Sequence, residues 1–297
     1  MGTGKIFLKP GVFDAMSAKI MEDCGFQVIG LSGYSLSVAS LAKPDMGFTT
    51  LDDIIFQTER ITAAVMIPLI VDVDTGFGNA LNVLHTTERV IRAGAAAFHM
   101  EDQEFPKRCA SLQGKAVISR EEMVGKIRAA VRVRDEMDKD FVIIARCDAR
   151  TVAGGTLENV IDRCKAYMDA GADMIFPSSL LSKDEIVTLA EKVNVPLHLN
   201  RGGKMSAKLS LQELSTIKNV VLVSQASGPI MAAIAGMYEW GQGTMKDDLN
   251  YVNAFSKALK YKSFGDLHQF AGAKQYMALE KEYLPEAFEE RYVDANA

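Results

Sequence analysis

An α/β chain closed into a (β/α)8 barrel is the fold this sequence predicts, and two observations carry that prediction. One unit recurs along the 297 residues: an amphipathic helical stretch, a glycine stop, then a short apolar run. Eight such runs occur, separated mostly by helical patterns, and strands alternating with helices imply a parallel sheet. Ile6–Leu8 is the first. Asp23-Cys24-Gly25-Phe26 leads into the second, Val28–Leu31, and Leu69–Val73 is the third. Arg92-Ala93-Gly94-Ala95 leads into Ala97–Met100, and Phe141–Ala145 follows. Asp169-Ala170-Gly171-Ala172 leads into Met174–Phe176; Pro196–Leu199 and Val220–Val223 complete the set. Glycine just past a helix supplies a left-handed cap. Residues 157–170 show the helical period, with Leu157, Val160, Ile161, Cys164 and Met168 on one face. Thr50 with Asp53, and Ser119 with Glu122, mark helix starts. The chain reads as a single barrel domain, 1–297, with a helical extension from about residue 241. An open doubly wound sheet is the alternative, but no Gly-x-Gly-x-x-Gly follows the first run.

Composition narrows the function. The chain is 48% hydrophobic and 24% charged, ordinary for a soluble globular protein. Its net charge of −5 and lack of a long basic run argue against nucleic acid and anionic membrane as partners. No apolar stretch approaches the roughly 18 residues of a membrane span, and the apolar run after Lys5 is too short for a secretory signal. Cys24, Cys109, Cys147 and Cys164 show no paired spacing, which fits a reducing, cytoplasmic compartment.

In such a barrel, chemistry collects at the C-terminal ends of the strands. Those ends carry Ser32 and Gly33, Asp72 and Asp74, Glu101 and Asp102, Arg146 and Asp148, Ser178, Asn200 and Arg201, and Ser224 to Ser227. In Val71-Asp72-Val73-Asp74-Thr75-Gly76 an apolar run ends in two aspartates. Strand alternation would put them on opposite faces unless the strand stops between them. Hard oxygen ligands beside a glycine-rich turn suit Mg2+ with retained waters, and arginine clamps a carboxylate with two hydrogen bonds. The set therefore fits a divalent metal, with an anionic, oxygen-rich small molecule as substrate. Cys109 lies in a polar loop, 105–115, next to Lys107 and Arg108, a setting that favours thiolate and general acid or nucleophilic work. A solvated surface cysteine is the plainer reading. His99 and His198 read as core histidines, and Tyr34 as a pocket candidate.

Several segments taken together resemble the isocitrate lyase/phosphoenolpyruvate mutase superfamily, and within it the methylisocitrate lyase-like branch. They are Gly11-Val12-Phe13-Asp14-Ala15, Pro44-Asp45-Met46-Gly47-Phe48, Asp72 to Asn79, Glu101-Asp102-Gln103, Lys107-Arg108-Cys109 and Ala145 to Arg150. The resemblance runs from about Gly11 to Phe270. It implies a barrel whose eighth helix is exchanged between subunits, usually in a homotetramer. It implies Mg2+, with Mn2+ as a substitute ion, held largely through water by Asp45, Asp72, Asp74 and Glu101. It gives Ser32, Gly33 and Arg146 to an α-keto-acid carboxylate, and places Lys107 and Cys109 on a gating loop. In the lyase branch that cysteine protonates the carbanion left when a carbon–carbon bond breaks. Tyr34, Asn200, Arg201 and Ser227 complete the expected substrate contacts.

The departures bear on the substrate. Where the lyases follow the cysteine with Gly-His, this chain has Ala110-Ser111. Where the family has a glutamate after the sixth strand, it has Ser178-Ser179. Arg201 stands where the family has an apolar residue, so the outer half of the pocket is expected to be more positive. The expected activity is Mg2+-dependent cleavage of a 2-hydroxy di- or tricarboxylate. The alternatives are oxaloacetate decarboxylation or hydrolysis, another α-keto-acid reaction, and a homologue that binds without turnover.

Overall fold

Eight short runs of buried apolar residues pair edge to edge, all parallel, and close on themselves in chain order. The strands are β1 (Phe7–Val12), β2 (Ile29–Leu31), β3 (Leu69–Asp72), β4 (Ala97–Glu101), β5 (Val142–Cys147), β6 (Met174–Pro177), β7 (Leu197–Asn200) and β8 (Val220–Gln225). The closing pair is β1 with β8, in the register Phe7↔Leu222, Lys9↔Ser224. This computed structural model describes residues 5–201, 208–258 and 264–285. All eight expected strands are present. β1 is longer than expected: it runs on through Pro10 and Gly11 to Val12, because pairing with β8 persists to Gln225 and pairing with β2 starts at Gly11.

Helices α1 (Ala15–Asp23), α2 (Gly33–Leu41), α3 (Leu51–Ala64), α4 (Ala80–Arg92), α5 (Arg120–Met137), α6 (Leu157–Asp169), α7 (Lys183–Lys192) and α8 (Leu211–Ser215) lie between the strands. Their starts follow the sequence signals. Thr50 and Asp53 form a full capping box on α3, and Ser119 accepts from the Glu122 amide at the start of α5. Past α4 and α6 the chain turns through Gly94 (φ 84°) and Gly171 (φ 103°), a backbone region that disfavours a β-carbon.

Two apolar layers follow from strand parity. Val71, Phe98, Met100, Ile143, Ala145 and Val223 point outward into the large core shared with the helices. Their neighbours Ile70, Ala97, Ile144, Phe176 and Leu222, with Val28, form a separate cluster inside the barrel. Residues of the inward parity one step nearer the C-terminal rim are therefore stacked above an apolar plug.

The chain divides into two compact units, Met1–Ala232 and Ala233–Ala297. The first holds the barrel. The second holds most of α9 (Gly228–Ala258), which breaks at Asp247 and Asp248, then α10 (Phe264–Phe270) and α11 (Ala273–Tyr283). No helix among the described residues is long and apolar enough to cross a membrane.

Candidate active site

Parity sends Asp72, His99, Glu101, Arg146, Ser178, Asn200 and Ser224 into the C-terminal mouth of the barrel, above Phe176 and His198. The paired aspartates reach one pocket because β3 ends at Asp72, and Asp74 follows in the left-handed region (φ 48°). That conformation is costly for a non-glycine residue and marks a functional turn. Asp72 accepts from the Gly33 and Asp74 amides, both at 3.2 Å. Gly33 opens α2, whose N-terminal dipole favours the charge. A β-carbon at Gly33 would stand 3.0 Å from Asp72 Oδ2 and 3.2 Å from Asp74 Oδ1, so any side chain here would press on both carboxylates.

Lys107 ties the loop down. Its ammonium, 2% exposed, lies 2.5 Å from Asp45 Oδ1 and 2.7 Å from Asp74 Oδ1. The Cys109 amide donates to the Asp45 carbonyl at 2.9 Å, so the cysteine is anchored to the same residue. Cys109 is half-buried, with Sγ 3.3 Å from Ser111 Oγ. The two bases expected to face its sulfur are directed elsewhere: Lys107 to the aspartates, Arg108 toward the Gln113 carbonyl at 3.5 Å. Gln103 holds the loop stem with one bond to each of the Arg108 amide and carbonyl, both 3.0 Å.

On the opposite side Arg146 contacts Glu101 at 2.7 Å and Asp148 at 2.8 and 3.2 Å. Asp102, fully buried, is consumed in the frame: it accepts from the Asp148 amide, Tyr167 and Arg163.

The ionisation pattern follows from this crowding. Burial, against the attraction of Arg146, pushes Glu101 well above its ordinary value. Burial also pushes Asp74 up to about 6; Asp72 and Asp45 add to this, and Lys107 opposes it. Burial works against Asp72 as well, but the cations around it win and hold its carboxyl below the usual range. Burial pulls His99 down to about 3, leaving a neutral imidazole 3.5 Å from Asp72, so Lys107 and Arg146 are the cations that count.

A small cavity of about 50 Å³ is lined by Lys9, Gly11, Gly30, Ser32, Asp72, His99, Arg146, Phe176, Asn200, Ser224 and Ala226. A larger one, about 350 Å³, lies between loop residues 110–115 and the segment after β6, with Phe176, Leu180, Leu181, Ile186 and Leu199 as its apolar wall. The structure thus brings Ser32, Gly33, Asp45, Asp72, Asp74, Glu101, Lys107, Cys109, Arg146 and Asn200 to one end of the barrel. Tyr34, Arg201 and Ser227 line neither cavity. Arg201 donates instead to the Leu209 carbonyl at 3.0 Å, and the Ser227 carbonyl accepts from Met231 in the first turn of α9. Two of the titratable lining residues come as additions to those the sequence marks. His99 faces the site instead of the core, and Lys9 rises from β1 into the inner cavity. Parity along a longer β1 is the signal that finds Lys9.

The donor set suits a hard cation. Asp45, Asp72, Asp74 and Glu101 offer only oxygen, and Glu101 Oε1 is buried with no hydrogen-bond partner. Burial first, and neighbouring carboxylates after it, raise Glu101 and Asp74, and a divalent charge beside them would favour their ionised forms. Among the described residues no three acidic, histidine or cysteine side chains converge tightly enough to hold a metal ion unaided.

Comparison with known proteins agrees with this geometry. Residues 2–243 match the phosphoenolpyruvate phosphomutase family. A 2-methylisocitrate lyase of Aeropyrum pernix is 47% identical over 195 residues, 66% of this chain; the match spans 61% of that enzyme's length. A 2,3-dimethylmalate lyase of Eubacterium barkeri is 34% identical over 269 residues, 90% of this chain and 91% of that one. The structure of a phosphonopyruvate hydrolase in complex with oxalate and Mg2+ superposes with a TM-score of 0.84 at 32% identity, covering 95% of this chain and 96% of that one. With its closed eight-stranded barrel and its match over four-fifths of its length, the chain belongs to the phosphoenolpyruvate mutase/isocitrate lyase family.

Proposed function

We propose that this protein is a Mg2+-dependent carbon–carbon lyase that splits a 2-hydroxy dicarboxylate into an α-keto acid and a second carboxylate. The observation that carries the reading is the Asp45–Lys107–Asp74 bridge, which fastens the Cys109 loop over a cluster of buried carboxylates. Asp45, Asp72, Asp74 and Glu101 would hold the metal, largely through its waters. Mg2+, when bound, would polarise the oxygens of the keto-acid half and favour loss of the 2-hydroxyl proton. Mn2+ is a chemically reasonable substitute.

The remaining chemistry belongs to the chain. Ser32 and Gly33, at the N-terminus of α2, present a helix dipole to the keto-acid carboxylate, with Arg146 across from them. A base takes the proton of the 2-hydroxyl. The oxygen electrons form the new carbonyl, the carbon–carbon pair leaves with the departing fragment, and the Cys109 thiol returns a proton to that carbanion.

The outer cavity supports a dicarboxylate over a tricarboxylate. Its walls mix aliphatic side chains with neutral polar groups, the hydroxyls of Ser111, Ser178, Ser179 and Thr151 and the amides of Gln113 and Asn200. Lys115, its one charged wall residue among the described residues, is spent on the Ala110 carbonyl and Thr151 Oγ1, each at 2.8 Å. A distal methyl or longer alkyl group fits these walls better than a third carboxylate does. The working form is proposed to be a homotetramer with exchanged C-terminal helices, in the cytoplasm. In support, α11 has no buried residue, and Met237 and Met245 on α9 are 63% and 90% exposed.

A proton NMR time course with Mg2+ and a panel of 2-hydroxy acids, oxaloacetate and phosphonopyruvate tests the activity. Chelator-sensitive loss of one 2-hydroxy acid, with an α-keto acid appearing, is expected. Loss of oxaloacetate alone would replace the lyase by a decarboxylase or hydrolase; no loss at all would leave a binding protein. Cys109→Ala should lower turnover by about 100-fold or more while substrate still binds. If its turnover equals that of the parent protein, Cys109 is not the acid.

A further inference from the structure

Three cations reach the inner end of the pocket, and two of them are already neutralised. Lys107 is held by Asp45 and Asp74, and Arg146 by Glu101 and Asp148. Lys9 differs. It is 5% exposed, and among the described residues it has neither a side-chain hydrogen bond nor a carboxylate within ion-pairing distance. Asp72 attracts it from farther away and Arg146 repels it; the other titratable groups nearby, His99 and His198, are both kept neutral by burial.

The chain makes room for this side chain. A β-carbon at Gly30 would stand 2.8 Å from Lys9 Nζ, 3.0 Å from Cδ and 3.1 Å from Cε, so the lysine stem occupies the space that a side chain on β2 would fill. Its tip enters a cavity of about 50 Å³ shared with Ser32, Arg146, Asn200 and Ser224. That volume holds a few water-sized groups, the size of one carboxylate. A buried ammonium without a partner is expensive in isolation and becomes favourable once an anion enters beside it.

We propose that Lys9 is a substrate-binding residue whose ammonium takes a carboxylate oxygen of the α-keto-acid half from the floor of the barrel. Arg146, already paired with Glu101 and Asp148, meets the carboxylate from across the cavity, and Lys9 supplies the uncommitted positive charge. This rests on the α-keto-acid reading of the site and adds a residue to it.

Oxalate, a two-carbon dianion with the shape of a pyruvate enolate, is the probe. Its binding in the presence of Mg2+ is measured by titration calorimetry on the full chain, with no turnover required. Lys9→Met keeps the stem against Gly30 and removes the charge. Its oxalate affinity should fall by about tenfold or more, the scale of one charge-assisted hydrogen bond. Its melting temperature without ligand should hold or rise, because an unpaired buried charge is gone, while the upward shift given by oxalate shrinks. Gly30→Ala, which displaces the lysine tip, should weaken oxalate in the parent chain and add little in Lys9→Met, a non-additivity expected of residues in contact. A Lys9→Met protein that binds oxalate as tightly as the parent overturns the proposal alone. So does one whose ligand-free melting temperature drops, since that marks Lys9 as part of the frame. A parent protein that ignores oxalate overturns the α-keto-acid reading, and this assignment with it.

Discussion

The inner and outer cavities open at the same end of the barrel but are built by different means. The inner one is walled by strand residues whose direction is set by parity: Lys9, Asp72, His99, Arg146, Asn200 and Ser224. Its charges hold one another, through Lys107 on two aspartates and Arg146 on two further acids. The outer one is walled by loop residues 110–115 and 178–181, with aliphatic side chains and hydroxyls. Strands of a barrel cannot shift one wall without shifting their neighbours, whereas loops tolerate replacement. The keto-acid chemistry is accordingly fixed by the fold, and the distal part of the substrate is selected by segments that can change independently. A glutamate and a histidine expected from the family are missing from the loop-built half alone.

A substitution on the strand side should therefore be severe and indifferent to substrate. Asp72→Asn leaves the shape intact but removes a charge that two backbone amides and two cations are arranged to meet. Turnover should fall by about 1000-fold for every substrate accepted, the scale of losing several kcal/mol of metal-centred stabilisation. The initial rate of α-keto-acid release measures it. A loss below tenfold would mean the inner carboxylates are not the chemical end. On the loop side the effect should be smaller and selective. Ser111→His restores a donor able to carry charge at the outer cavity. It should raise kcat/KM for 2-methylisocitrate relative to 2,3-dimethylmalate by about tenfold. An unchanged ratio would detach the outer cavity from substrate choice.

The same division explains what could be read from the sequence. The barrel was legible because each of its eight units carries its own stop and start, such as Gly94 before β4 and Thr50 before α3. The acidic strand ends were legible because carboxylates at the end of an apolar run are conspicuous. Lys9 was not, because the first strand was expected to stop at Leu8; a strand containing Pro10 and Gly11 goes against local preference, and only pairing with both β8 and β2 sustains it. His99 reads as a satisfied core residue because its neighbours in sequence are apolar. The barrel interior is two-tiered, and one step above Ala97 the apolar plug gives way to the charged tier. Arg201 was legible as a charge but not as a direction, since the carbonyl it binds, that of Leu209, belongs to an apolar residue that no charge pattern marks as a partner.

The floor under the charged tier gives the smallest and most physical test of the contrast. His198 is fully buried on β7, its ring 4.2 Å from that of Phe176, and neither ring nitrogen has a hydrogen-bond partner. Burial first, then the positive charges of Lys9 and Arg146, pull its pKa well below the ordinary value. The sign follows from linkage. The unfolded chain takes up a proton at His198 near pH 6.5 and the folded chain does not, so stability attributable to this residue is intact above pH 6.5 and declines as pH falls below it. The slope approaches about 1.4 kcal/mol per pH unit. Glu101 and Asp74, with raised values, push the other way, but they are common to both proteins when a variant is compared with its parent. His198→Leu, close in volume and unable to titrate, should match the parent within about 1 kcal/mol at pH 7.5 and gain on it steadily between pH 6.5 and 5. Urea midpoints across that range measure the difference. If the two curves stay parallel, the floor beneath the site already admits a proton, and the dry, neutral tier that separates the charged mouth from the plug does not exist.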